Sequence, residues 1–193
     1  MPVRNDREYR TAEKFEANDE MIVEGYASTF DPYVLYSDGD NSIYERIDPH
    51  AFDEADMDDV IMQYDHEGRV YARKSNGTLE VSVDDHGLKV RADLSKTEGA
   101  RSLYEDIRSG MITQMSFAFS IKEESYDKGA RQRNILKVGR LYDVSAVSIP
   151  ANPGTEISAR SFCDGVIAEE QAERLAAEER ERKIKILRLR LEV

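Results

Sequence analysis

One cysteine, Cys163, is all the chain contains, so no internal disulfide can form, and no Cys/His cluster has zinc-ligand spacing. Long hydrophobic runs are missing as well. No stretch approaches the roughly 20 apolar residues of a membrane span, and the opening MPVRNDREYR has no apolar signal-peptide core, so no membrane partner is expected. Positive charge is in deficit: 27 Lys and Arg against 39 Asp and Glu leave a net charge of -12, which argues against broad electrostatic binding of nucleic acid. What remains is a soluble protein of a reducing compartment. With 193 residues, 40% hydrophobic and 34% charged, there is room for one domain with a sizeable core plus a charged appendage.

Strand signals dominate residues 21–160, over 21–30, 60–64, 69–74, 78–84, 88–94, 112–121 and 135–149. Asp85-His86-Gly87 and the stretch 127–129 have the composition of hairpin turns. One helix interrupts the strands: Thr97 caps it, Ala100, Leu103, Tyr104 and Ile107 form its apolar stripe, and Gly110 stops it. A shorter helical turn is expected over 51–55, after Pro49. The fold class is therefore mainly β with a few helices (α+β), a barrel or sandwich with helical decoration. No internal repeat is present. Residues 1–20 are polar and read as a loose N-terminal arm. Composition changes after Pro150-Ala151-Asn152-Pro153-Gly154, and residues 161–193 form a charged tail in which Glu and Arg alternate at helical spacing. The stretch 183–191 alternates like a strand but also fits a continued helix. Its apolar residues would be stranded in water, which favours an interaction segment.

Three residues stand where acyl-transfer chemistry needs them. In Gln114-Met115-Ser116-Phe117-Ala118-Phe119-Ser120, a strand buries the bulky row and leaves Ser116 accessible on the other face. His66 ends the apolar run that begins at Val60 and precedes Glu67-Gly68, an expected turn, as suits a general base at a cleft edge. Asp143 lies inside the otherwise apolar Leu141–Val147 strand, where a carboxylate is costly unless it is paired. Each has a bland alternative: Ser116 as part of a solvated face, His66 as a satisfied half-buried ring, Asp143 as a structural carboxylate bonded to backbone amides or to Arg140. His86, in a presumed turn, and His50, at a presumed helix start, are weaker candidates. No GxSxG elbow surrounds Ser116, so an α/β-hydrolase is excluded. The acidic stretches 38–42 and 53–59 lack the glycine placement of a calcium loop, and no metal or cofactor is expected.

Taken in order, Val23-Glu24-Gly25-Tyr26-Ala27-Ser28-Thr29-Phe30, Ile47-Asp48-Pro49-His50-Ala51-Phe52, the strand ending in His66, Gly110-Met111-Ile112 through Ser116-Phe117-Ala118-Phe119, and Leu141-Tyr142-Asp143-Val144-Ser145 leading into Pro150-Ala151-Asn152-Pro153 resemble the tailed-phage prohead protease family, the capsid maturation serine proteases related in fold to herpesvirus assemblin. The likeness covers about residues 20–160. It implies a herpesvirus-protease-like β-barrel over 21–160, with Ser116 as nucleophile, His66 as general base and Asp143 as third member. Ala118 and His50 stand where the family often has glycine. The third member is commonly Asp or Glu in that family. The resemblance also implies the major capsid protein and its scaffolding segment as partners, a homodimer, and action in the host cytoplasm inside an assembling procapsid. Self-cleavage is common in that family, and the composition break after Gly154 makes removal of the tail the expected result. The competing class is a non-catalytic assembly protein on the same fold. A small esterase fits less well, because no small-molecule pocket signature is present.

Overall fold

The structure is a computed structural model that describes residues 7–14, 16–37, 42–148 and 157–191. The acidic stretch 38–41 and the stretch 149–156 lie outside the described residues. The centre is a long antiparallel hairpin of β10 (Gln114–Asp127) and β11 (Gln132–Val147). Its turn is held by the Asp127 carboxylate, which accepts from the backbone N–H of Gly129 at 2.8 Å and of Ala130 at 3.1 Å. β1 (Glu8–Lys14) pairs with the outer edge of β10. The other edge of β11 is shared by two parallel partners: β5 (Ser42–Ile47) lies beside its beginning and β6 (Ile61–Tyr64) beside its end. β4 (Tyr33–Ser37) then adds to β5, and β7 (Glu67–Arg73) to β6.

A second, antiparallel sheet contains β2 (Glu16–Ala17), β3 (Ile22–Thr29), β9 (Gly87–Asp93) and β8 (Leu79–Val83) in that order. Val23, Leu88 and Val90 from this sheet, with Met62, Phe117 and Val144 from the first, share one core. The helix α1 (Glu98–Arg108) also packs into it. α1 forms as its sequence dictates. Thr97 Oγ1 accepts from Ala100 N at 3.1 Å, the stripe Ala100, Leu103, Tyr104 and Ile107 is buried, and Gly110 follows with φ 77.

Three expectations need correction. The mainly β, α+β class is found, but among the described residues the sheets do not close into a barrel: β1 and β4 end the first sheet as open edges. The cause lies in β11, which gives two stretches of one edge to two different strands and so splits the sheet instead of curling it shut. Residues 51–55 form successive turns, with Asp53 N bonded to His50 O and Ala55 N to Phe52 O, rather than a helix. The polar arm contributes a strand, β1, in which Arg10 is buried.

β1 escapes hydrophobic patterning because its inward positions carry charge, and β5 because Glu45 interrupts the inward row of Ile43 and Ile47. Arg10 donates to both oxygens of Glu45, at 2.9 Å from Nη2 to Oε2, and also to Glu8. Arg133 reaches Glu8 Oε1 at 2.9 Å, Glu45 Oε2 at 3.1 Å and, through Nε, Glu124 Oε2 at 2.8 Å. The Tyr33 hydroxyl donates to Glu45 Oε1. This one network ties β1, β4, β5, β10 and β11 together.

The helix α2 (Ile157–Leu191) lies over it. Ala159 and Cys163 bury against Leu35 and Ile43, and the Arg133 guanidinium stacks 4.3 Å from the Phe162 ring centre. Lys128 pairs with Glu169 and Glu173, and Arg131 with Glu170. Beyond these contacts residues 177–188 are exposed throughout. Burial pushes the Cys163 thiol up to about 11, so it is not a nucleophile at neutral pH.

Burial raises the Glu45 carboxyl, but Arg10 and Arg133 outweigh it and hold the group below its ordinary value of 4.5. A depressed carboxyl contributes stability that is present above its unfolded value and lost as the pH falls through the folded one. Glu45→Gln is therefore expected to destabilise the protein by about 3 kcal/mol at neutral pH, the usual cost of breaking a buried ion pair from one side. It should also flatten the loss of stability below pH 4.5, as read by urea unfolding across pH. Equal acid limbs for wild type and variant would refute the role given to the network.

Candidate active site

One face of the first sheet brings the candidate residues together. In the β10–β11 ladder Ser116 stands opposite Ser145 and Ala118 opposite Asp143, so these four side chains share a face. The register then slips: Phe119 faces Leu141, which leaves Tyr142 as the extra residue of a β-bulge beside Asp143. Arg7 stacks on the Tyr142 ring at 3.9 Å. Ser116, Ala118, Asp143 and Ser145 are all buried, so the expected accessible row on β10 is not accessible: Ser116 has 0% exposure. The small-residue row of β10 at Ser116 and Ala118 is thus buried as fully as its bulky row.

His66 arrives by an unusual turn. Asp65 and His66, with φ 48 and 59, are the two central residues of the β6–β7 hairpin, in which Tyr64 pairs with Glu67. Left-handed values at both positions belong to a type I′ turn, where Asn-Gly is the usual occupant, and a side chain there costs roughly 1–2 kcal/mol. The turn expected at Glu67-Gly68 thus lies two residues earlier, and Glu67 begins β7. Asp65 pins it to the end of β11. Its carboxylate accepts from Ser148 N and Ser148 Oγ, both at 2.8 Å, and its N–H bonds to Ala146 O at 2.9 Å. The His66 ring is turned back over the sheet, where Nδ1 lies 2.6 Å from Asp143 Oδ1. The Tyr9 ring meets it edge-on, centroids 4.6 Å apart.

The same Oδ1 accepts a second hydrogen bond, from Ser145 Oγ at 2.8 Å. Arg140, the alternative partner for Asp143, instead lies 3.4 Å from Asp56. At the opposite ends of the arrangement two polar atoms are buried without a hydrogen-bond partner: Ser116 Oγ and His66 Nε2. An imidazole anchored through Nδ1 with Nε2 free can accept a hydroxyl proton, and of the other buried unbonded groups on this row of β10 among the described residues, Gln114 Oε1 and Ser116 Oγ, only the hydroxyl has a proton to give. A cleft of about 790 Å³ opens beside the ring, lined by His66, Asp143, Gln63, Arg73, Arg140 and Tyr142 among others. Ser116 does not line it. The other two histidines stand apart from Asp143: His50 pairs with the exposed Asp53, and His86 packs edge-on against Tyr26.

Ser145, Tyr9 and Asp65 belong to the site but not to the set named from sequence. Ser145 alone left a trace there, as a polar residue two positions from a buried acid and therefore on its face of the strand. The turn was hidden because Asp-His carries no glycine, and Tyr9 because its strand is built on charge.

No solved structure matches the chain. It is 29% identical over 149 residues to the prohead protease of Enterobacteria phage HK97, an alignment that covers 75% of this chain. The chain spans 62% of that relative's length. The family described as caudovirus prohead serine protease matches residues 7–166, well over half of the sequence and the whole of both sheets, and the chain belongs to that family.

Proposed function

We propose that the chain is a serine endopeptidase of phage capsid maturation, acting inside the assembling procapsid on the scaffolding segment of the major capsid protein and on itself. The observation that carries this reading is the His66–Asp143 contact, with His66 Nε2 and Ser116 Oγ both buried and unbonded on one face. A buried polar atom without a partner costs about 1–3 kcal/mol. A hydroxyl and a ring nitrogen both left unbonded make sense where a proton is to move between them.

In this reading Asp143 holds the ring in the tautomer that carries its proton on Nδ1, so that Nε2 has a lone pair. Ser116 Oγ attacks the scissile carbonyl carbon while Nε2 takes the hydroxyl proton, and the carboxylate stabilises the imidazolium. The tetrahedral adduct collapses as the imidazolium passes that proton to the amide nitrogen, releasing the amine and leaving an acyl ester on Ser116. Water, deprotonated by Nε2, then hydrolyses the ester. The cleft beside His66 brings a peptide to the ring, and the cover over Ser116 must shift before the carbonyl can reach Oγ. The pairing of two copies and a scaffold-docking role for the exposed end of α2 belong to the same reading.

The full burial of Ser116 also favours the competing reading, a non-catalytic assembly protein. A fluorophosphonate probe separates the two. Wild type is expected to take one label, at Ser116, and Ser116→Ala none. His66→Ala and Asp143→Asn should each slow labelling by about 10³–10⁴, the range typical of triad disruption. Labelling that persists in Ser116→Ala would exclude this nucleophile.

Co-expression with the major capsid protein tests the substrate. Intact masses should show fragments of capsid protein and of this chain with wild type only, and Ser116→Ala should leave both whole. Identical masses in the two samples would favour the assembly protein.

A further inference from the structure

We infer that Ser145 is a positioning residue of the site, fixing the Asp143 carboxylate so that its Oδ1 meets His66 Nδ1; the inference rests on the protease reading above. Three observations carry it. Ser145 is fully buried, on the same face of β11 as Asp143 and two residues away, and its Oγ donates to Asp143 Oδ1 at 2.8 Å. The oxygen it holds is the one that His66 Nδ1 approaches at 2.6 Å, so one atom joins all three side chains. Ser145 is also the cross-strand partner of Ser116, which places two serine hydroxyls side by side in neighbouring strands.

Proton inventory separates the roles of those hydroxyls. A serine hydroxyl has one hydrogen, and an ionised carboxylate can only accept. The hydrogen of Ser145 is committed to Asp143, so it cannot be passed to His66 Nε2 without breaking the bond that orients the carboxylate. Ser116 has no such commitment, since its Oγ is without a partner. A carboxylate with one hydrogen-bond donor turns about its Cβ–Cγ bond. With a second donor fixed to the rigid centre of β11, Oδ1 stays where the ring needs it. Asp143 and Ser145 thus act as a two-point mount, and the strained Asp65-His66 turn sets the ring down on it.

The test uses the full chain and two readouts: the rate at which a fluorophosphonate probe labels Ser116, and the low-field proton resonance of the Nδ1–H to Oδ1 hydrogen bond. Ser145→Ala is expected to label about tenfold or more slowly at a temperature where both proteins are fully folded, the size of a lost hydrogen bond to a charged group. Its low-field resonance should shift, and Ser145→Thr, which restores the hydroxyl, should recover both. Should Ser145→Ala fail to fold, Ser145→Cys keeps the volume with only a weak donor and serves instead. Wild-type labelling and an unmoved resonance in the variant would overturn the inference, because a merely structural serine would behave so. Label on Ser145 in place of Ser116 would overturn it too. An unlabelled wild type sinks the protease reading, and the resonance still decides: a shift in Ser145→Ala supports the mount, and no shift removes it.

Discussion

A carboxylate buried in the middle of a central strand constrains everything around it. Asp143 has 1% exposure, and an isolated charge at that depth is costly by several kcal/mol. The chain meets the requirement with two donors on one oxygen, a serine from the same strand and an imidazole from the neighbouring hairpin. The second donor has consequences for the backbone. To reach Asp143 from the end of β6, the ring leaves a turn with two left-handed residues, and that turn is tied back to β11 through Asp65 and Ser148. Strain at the turn and satisfaction at the carboxylate are two ends of one arrangement.

β11 solves the same problem twice. At its beginning Arg133 neutralises Glu8 and Glu45 inside the protein, and at its end Asp143 takes up His66. Between them the ladder with β10 slips register four times, and each slip lets the strands bend without losing the pairing further along. One of those slips ejects Tyr142 beside Asp143, so the bulge that shapes the sheet also shapes the cleft wall. The two ends differ in purpose. All donors and acceptors named in the ionic network have partners, whereas the far end keeps a hydroxyl and a ring nitrogen unbonded.

This contrast explains which parts of the molecule were legible in the sequence. α1 could be read to the residue because Thr97, its apolar stripe and Gly110 act locally. Strands β3, β8 and β9 of the second sheet and two hairpin turns followed from alternation and turn composition. β1 and β5 did not, because Arg10 and Glu45 occupy inward positions where a pattern reader looks for Val or Ile, and only a partner distant in sequence makes their burial tolerable. The site divides in the same way. Asp143 was conspicuous as an acid in an apolar strand, and His66 and Ser116 were named through order and spacing. The exposure of Ser116 was misjudged because what covers a strand's face cannot be inferred from that strand alone. The position of the turn was missed because its residues are atypical for its geometry.

The division of α2 bears on what the proposed self-cleavage can remove. Its first half covers Leu35, Ile43 and the Arg133 end of the ionic network, and is held by Lys128 and Arg131. Water let in there by loss of residues 159–173 would reach charges whose pairing now depends on exclusion from solvent. The second half, 177–188, is exposed throughout and carries three large uncovered apolar side chains, Ile184, Ile186 and Leu187. Removing it takes nothing from the core. A cut that leaves the fold intact must therefore fall beyond Glu173, within the exposed half of the helix. A cut nearer the sheets would turn the processed protein into a less stable one, with its ionic network opened to water and the five strands joined by it loosened.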